Sequence, residues 1–210
     1  MRYMIGIDEV GRGSLAGPLF VAAVAIPTKL RIKNYELGIM RDSKRVTPLK
    51  REKWFTYFKN HPHIIYTVAR VYPKTIERKN VSQAANLAAL RAYKRLVSSV
   101  PEKKSKISHG AGKYQVSNHQ VYLDGGLYLG NGKNRLPAKT VVRGDEKYTA
   151  IKIASIIAKV SRDRTMVRLA KKYPKYKFEV HKGYGTKRHI QAIKKFGPSI
   201  IHRQNFLKFI

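Results

Sequence analysis

The chain has 210 residues and no cysteine, a length that suits one domain, and the missing thiols exclude disulfide scaffolds, thiolate metal centres and cysteine nucleophiles. Lys and Arg total 44 against 12 Asp and Glu, a net charge of +32, so a polyanion is the expected partner, nucleic acid ahead of an anionic membrane surface. A hydrophobic content of 43% excludes a disordered chain, and the longest apolar run, Leu19 to Ile26, falls far short of the roughly 20 residues of a membrane span and follows no basic leader, so a cytoplasmic protein with no membrane contact is expected.

The N-terminus reads as two strands, Tyr3 to Ile7 and Leu19 to Ile26, joined by the Gly-rich segment DEVGRGSLAGP. Thr47-Pro48 then has the form of a helix start, hydroxyl cap followed by proline, leading into LKREKWFTYF. A third strand is predicted over Ile64 to Tyr72 and a helix over Val81 to Val97, the first from its β-branched and aromatic alternation, the second from apolar residues near helical spacing. Pro101 to His119 is polar, basic and predicted to be a long exposed loop. A fourth strand, Gln120 to Leu123, ends at Asp124. The clearest helix spans Thr149 to Lys171, and another runs from Thr186 to Phe196, stopped by Gly197-Pro198. Strands first and helices last suit a mixed α/β layer structure better than a regular βαβ repeat.

With only 12 acids, position is informative. Glu36, Glu52, Glu77, Glu102 and Glu179 lie among basic and polar residues and read as solvated surface charges. Asp8 and Glu9 instead follow the apolar run YMIGI, Asp124 ends VYL, and Asp145 follows VVRG ahead of the long apolar helix. Ligand sites in α/β sheets form at the carboxyl ends of strands. Carboxylates gathered there repel one another unless a cation sits among them, and hard divalent cations prefer oxygen ligands. Two such ions about 3.5–4 Å apart can activate water and stabilise the leaving oxygen of a phosphodiester. Acids that hold metal inside a basic protein that gathers backbone therefore point to phosphodiester chemistry, although each acid alone reads equally well as a turn or loop residue.

Six ordered blocks then resemble bacterial-type ribonuclease HII: IGIDEVGRGSLAGP at 5–18, RDSKRVTPLKRE at 41–52, NVSQAANLAAL at 80–90, YLDGG at 122–126, VRGDEKYTAIKIASIIAKVSRDR at 142–164 and HKGYGTKRHIQAIKKFGPSIIHRQNF at 181–206. The resemblance implies a single ribonuclease H-like domain over 1–210, with a mixed five-stranded sheet flanked by helices and a C-terminal helical part from about 172. It implies endonucleolytic cleavage of RNA in RNA–DNA hybrids and 5′ of single ribonucleotides in duplex DNA, using Mg²⁺ or Mn²⁺. The products would be a 3′-hydroxyl and a 5′-phosphate. By position, the metal-binding and catalytic acids fall on Asp8, Glu9, Asp124 and Asp145, the same four singled out above, with Asp8 expected to bridge two ions.

Also by resemblance, Gly11, Arg12 and Gly13 read the ribose 2′-hydroxyl, and Tyr184 stacks on the deoxyribose that follows. Close backbone approach through glycine suits this, since the 2′-hydroxyl separates RNA from DNA. Lys44 is expected to contact phosphate, with Asp42 beside it structural; Lys182, Lys187, Arg188, Lys194 and Lys195 are expected along the duplex backbone. Glu146 reads as a surface charge and Asp163 as the partner of a neighbouring Arg. Ser14, where the family often has proline, is expected to loosen the loop. The seven histidines show no dense cluster, His61 and His63 sharing a surface loop. A monomer is expected. Gln204, Leu207 and Ile210 loosely match a sliding-clamp peptide that lacks its aromatic pair. The competing readings are a non-catalytic basic nucleic-acid-binding protein, an inactive homologue, and a related nuclease such as ribonuclease HIII or a junction resolvase. The GRG loop, and the little sequence ahead of Ile5, speak against HIII.

Overall fold

The computed structural model describes residues 2–32, 46–101 and 119–210. Its strands are β1 (Tyr3–Val10), β2 (Leu19–Pro27), β3 (Ile65–Val71), β4 (Gln120–Asp124) and β5 (Lys139–Val141). They form one sheet in the order β3-β2-β1-β4-β5, antiparallel from β1 to β3 and parallel from β1 through β4 to β5. The expected α/β arrangement, a mixed five-stranded sheet, is present.

β2 shows how this chemistry builds layers. Leu19, Val21, Ala23 and Ala25 join one core cluster, while Ala22, Val24 and Ile26 join another, so both faces are covered. A strand buried on both sides reads as a continuous apolar run rather than an alternation. On the first face lies α3 (Val81–Val97), contributing Ala84, Ala88, Ala92 and Leu96; its start is capped by the Asn80 side chain. On the other lie α1 (Pro48–Asn60), with Trp54 and Phe58, and α5 (Thr149–Lys172), with Ile153, Ile156 and Ile157. The Thr47 hydroxyl accepts from Lys50 N and Pro48 opens α1 as the sequence indicates.

α5 crosses β1 so closely that a Cβ on Gly6 would lie 2.2 Å from the Ala150 carbonyl carbon. Only glycine fits, and the contact draws the start of α5 against the middle of β1. Beyond α5, α6 (Phe178–His181) and α7 (Lys187–Phe196) assemble with Leu15, Ala16 and Met166 into a third cluster.

The sequence reading missed α2 (Pro73–Lys79), the single turns α4 (Gly144–Lys147) and α6, and β5, whose three residues are too few to show a period. Lys44, Asp42 and residues 102–118 of the anticipated loop lie outside the described residues. No helix among the described residues is long and apolar enough to cross a membrane.

Candidate active site

The parallel pairing of β1 with β4 places Ile7 opposite Leu123, so the next residues, Asp8 and Asp124, stand side by side; Asp124 ends β4, whereas β1 continues past Ile7 to Val10, and Asp8 and Glu9 lie within it, paired to Ala22 and Val21 of β2. Ile5 and Ile7 point into the α3 core. Alternation turns Asp8 to the opposite face, toward Ser155 of α5, whose hydroxyl bonds to it. Asp145 sits not at a strand end but in α4 (Gly144–Lys147), a single turn after β5, entered through Arg143 in the left-handed region at φ 54°. Gly144 N donates to Asp124 Oδ1 at 2.6 Å, tying that turn to β4, and Asp145 is 2% exposed. Glu146 is exposed, as expected.

These groups feel one another. Burial raises the Asp8 carboxyl well above the ordinary carboxylate range, and the charges of Glu9 and Asp124 push it further, against the Ser155 hydrogen bond. Glu9 is also raised by burial, with Arg12 opposing the shift. Among the described residues, no group of three His, Asp or Glu forms a finished metal cage. Local donors hold the carboxylates instead: Asp8 Oδ1 accepts from Glu9 N at 2.7 Å, Asp124 from Gly144 N, and Glu9 Oε1 from Arg12 Nε at 2.9 Å. Glu9 Oε2 is buried with no hydrogen-bond partner. An orphaned carboxylate oxygen beside buried, mutually repelling acids is the donor set a hard divalent cation takes. The residues fit such an ion.

The GRG loop lies next to these acids, and its folding depends on distant residues. Gly11 has φ +89°, and a Cβ there would lie 2.2 Å from Arg162 Nε. The Arg162 side chain, fully buried, passes beneath the loop and donates to Pro18 O at 3.0 Å, Ser14 Oγ at 2.9 Å and Ala16 O at 3.3 Å. Arg203, also fully buried, donates to Gly17 O and to Arg12 O. Burial lowers the proton affinity of both guanidiniums, and Arg162's charge adds to the effect on Arg203. The Arg12 side chain reaches Glu9 through Nε and its carbonyl accepts from Arg203, while its Nη2 is buried without a hydrogen-bond partner.

Ser14 tightens the loop rather than loosening it. Its buried hydroxyl donates to Gly11 O at 3.0 Å and accepts from Arg162, roles a proline cannot fill. Its backbone bridges Tyr184. Leu15 N and Ala16 N also donate to Gly183 O, so the loop and the Tyr184 segment, distant in sequence, form one surface. The Tyr184 ring lies 5.1 Å from Arg162 Cζ and 5.6 Å from Lys159 Nζ. Beside Gly13, a cavity of about 710 Å³ is lined by Leu15, Gly185, Phe206 and Phe209.

A histidine cluster that the sequence reading did not find supports Tyr184. The ring of His181 stacks on that of His189 at 4.3 Å, and His189 Nε2 lies 3.1 Å from His202 Nε2. Tyr184 O can only accept, so His189 donates to it from Nδ1 at 2.9 Å. Ser199 N can only donate, so His202 accepts at Nδ1 and donates from Nε2 to His189. Both rings are neutral, and burial lowers each to about 4. Asp163 is an ion-pair partner as expected, shared between Lys159 at 3.0 Å and Arg51 of α1 at 4.0 Å. Glu52 is not merely solvated but pairs with Arg164, and Glu77 accepts from Gln204 N.

A family model for ribonuclease HII matches residues 5–209. The chain belongs to the ribonuclease HII family. Ribonuclease HII of Caldicellulosiruptor bescii is 42% identical over 209 residues, covering 100% of this chain and 88% of that one. Among solved structures, the PCNA:RNase HII complex from Archaeoglobus fulgidus is similar with a TM-score of 0.70 at 22% identity, covering 99% of this chain and 95% of that one. Bst-RNase HIII in complex with Mn²⁺ gives a TM-score of 0.66 at 16% identity, covering 98% of this chain and 64% of that one. The family's activity is metal-dependent endonucleolytic cleavage of RNA in RNA–DNA hybrids, and this chain is a ribonuclease H of that kind. The readings as a non-catalytic basic module or as ribonuclease HIII give way to this family.

Proposed function

We propose that the enzyme cuts 5′ of single ribonucleotides embedded in duplex DNA, as well as within hybrids, with Asp8, Glu9, Asp124 and Asp145 holding two divalent cations, Mg²⁺ or Mn²⁺. The observation that carries this reading is the register that sets Asp8 beside Asp124, with a buried oxygen of Glu9 left without a partner. Bound cations there would supply an activated water and offset charge on the leaving oxygen.

The protein's part is recognition and positioning. Backbone groups of Gly11 to Gly13 meet the ribose 2′-hydroxyl, which acts as both donor and acceptor. Arg203 and Ser14 fix the carbonyls of Arg12 and Gly11, so recognition is assigned to the backbone of a loop held in one shape. Tyr184, fixed against Ser14, takes the sugar that follows, so an RNA–DNA junction is registered on both sides. Orientation and preorganised charge supply most of the acceleration. Lys44 and basic residues of α7 contact phosphates, and the chain works as a single domain with the C-terminal part clasping the GRG loop. A contact between the C-terminal tail and a sliding clamp belongs to this reading: the similar archaeal structure contains PCNA, and Phe209 is exposed. Leu207 and Ile210 of the loosely matching peptide instead pack against the C-terminal cluster.

The test is a DNA duplex containing one ribonucleotide, incubated with Mg²⁺, with Mn²⁺ or with EDTA. Metal-dependent cutting on the 5′ side, leaving a 3′-hydroxyl, is expected. Cleavage of continuous hybrids but not of this duplex would overturn the single-ribonucleotide reading.

A further inference from the structure

Away from the acids, the described residues gather charge of the opposite sign. β3 is an edge strand, and α3 and α5 flank it from opposite faces of the sheet. They enclose a cleft of about 650 Å³ lined by Arg70, Arg91, Arg95, Arg164 and Arg168, together with Tyr72. Among the described residues no carboxylate lines it. Among the described residues only Arg164 of the five has an acidic partner, Glu52. Arg95 reaches Val68 O at 3.5 Å, Arg168 reaches Thr165 Oγ1 at 3.1 Å, and Arg70 lies 5.4 Å from the Tyr72 ring.

Two features give this cleft a ligand class. Lysines outnumber arginines in the chain, yet no lysine lines the cleft. Guanidinium groups present the planar fork that matches phosphate oxygens, whereas a lysine ammonium acts as a point charge. Crowded guanidiniums without acids repel one another, and a chain of phosphates relieves that repulsion, as a cation does for the acids at the active site. Tyr72, half exposed beside Arg70, adds a face on which a base or sugar can rest.

Its position gives the ligand a direction. A neighbouring cavity of about 1,010 Å³ is lined by Tyr184, Lys159 and Arg51, with Glu52 and Asp163 each held in ion pairs, and shares Arg164 and Arg168 with the arginine cleft. A groove therefore leads from Tyr184 across α5 to the edge of β3. We propose that this cleft binds the sugar–phosphate backbone of the nucleic-acid strand on the 3′ side of the ribonucleotide, beyond Tyr184. The assignment of direction rests on the role of Tyr184 given above. β3 lies two strands from β1, roughly 10 Å at the usual strand spacing, so contact begins roughly three phosphates from the reacting one at 3.4 Å per nucleotide.

The experiment compares wild type with Arg70→Ala/Arg91→Ala/Arg95→Ala, all exposed positions outside the catalytic set, and with Arg91→Ala alone. Binding is followed by fluorescence anisotropy in EDTA on two single-ribonucleotide duplexes. Both carry ten base pairs on the 5′ side; one carries two on the 3′ side and the other ten. The triple variant is expected to lose about tenfold affinity for the long 3′ duplex and none for the short one. Its slope of log K against log salt becomes shallower by roughly 0.9 for each phosphate no longer neutralised, and kcat is unchanged. Unchanged affinity and slope on the long duplex, or equal losses on both, would overturn the proposal. So would unchanged binding with self-association in sedimentation, since charged side chains also shield edge strands from pairing. Tyr184→Ala separates the two readings. If it leaves the cleavage position and KM unchanged while the 3′-length effect persists, the role of Tyr184 fails and the cleft stands; if only the length effect is absent, the cleft fails.

Discussion

Arg203 Nη1 donates to the carbonyl of Arg12 across 2.9 Å, joining the C-terminal segment to the middle of the GRG loop. The same guanidinium holds Gly17 O at the far side of the loop. Its charge, fully buried and next to Arg162, is costly to desolvate, and these carbonyls compensate it together with Tyr184 and the Phe206 ring 5.4 Å from Arg203 Cζ. The shape of the GRG loop thus depends on Arg203, which is 191 positions from Arg12.

Arg203→Lys keeps the charge but loses the fork. Each hydrogen bond to a charged group is worth about 1.5–3 kcal/mol, and an ammonium cannot span both carbonyls. A loss of about 2 kcal/mol in urea denaturation is expected, together with a lower ratio of kcat/KM on ribonucleotide-containing over all-DNA duplex. Unchanged discrimination in a destabilised variant would show that the clasp serves stability alone.

Two glycines of the loop separate folding from recognition. At Gly11 an alanine adopts the left-handed region, at roughly 1–2 kcal/mol, and meets Arg162 at 2.2 Å. Gly13 has nothing within 4 Å of an added Cβ. Gly11→Ala is expected to lower Tm markedly. Gly13→Ala leaves Tm within about 0.5 kcal/mol equivalent of wild type, while its KM on single-ribonucleotide substrate rises, because the methyl group occupies space the sugar needs.

The parts of this molecule that were legible in the sequence are those governed by local pattern. β2 stood out because both its faces are buried, α3 showed in its apolar spacing, and α1 and α7 carry their start or stop signals within a few residues. Asp8 and Asp124 were recognisable as acids closing apolar runs, although their adjacency needed the pairing register. β5 is too short for periodicity, so Asp145 was read without the strand and turn that carry it. The Arg162, Arg203 and histidine contacts were invisible. The arginine contacts link residues 144 to 191 positions apart and His189 meets His202 across 13, while isolated basic residues in so basic a chain carry no distinguishing signal.

The histidine cluster makes stability depend on pH. His189 and His202 sit at about 4 in the folded protein, against about 6.5 in an unfolded chain. The unfolded state therefore binds protons first on acidification. This contribution to stability is complete above about pH 6.5 and is lost progressively as pH falls toward 4. Urea midpoints measured across that window should decline, and His202→Gln should flatten the decline. A wild-type midpoint independent of pH there would contradict the neutral assignment.

Repulsion among the acids should be measurable without substrate. In EDTA, Asp8→Asn removes a buried charge that faces Glu9 and Asp124. A gain of about 1 kcal/mol, or roughly 2–4 °C in Tm, is expected. Mn²⁺ should raise the Tm of wild type and leave that of the variant nearly unchanged. A variant less stable than wild type in EDTA would show that Asp8 serves the fold in its charged form.

The central claim, that Asp8, Glu9, Asp124 and Asp145 form one cation site, is tested most directly by calorimetric titration of Mn²⁺ into wild type, Asp8→Asn, Asp124→Asn and Asp145→Asn. Wild type is expected to bind, and each variant to lose at least about tenfold in affinity, the scale on which even residues outside the ligand shell affect metal sites. Wild-type affinity in all three variants would contradict the account.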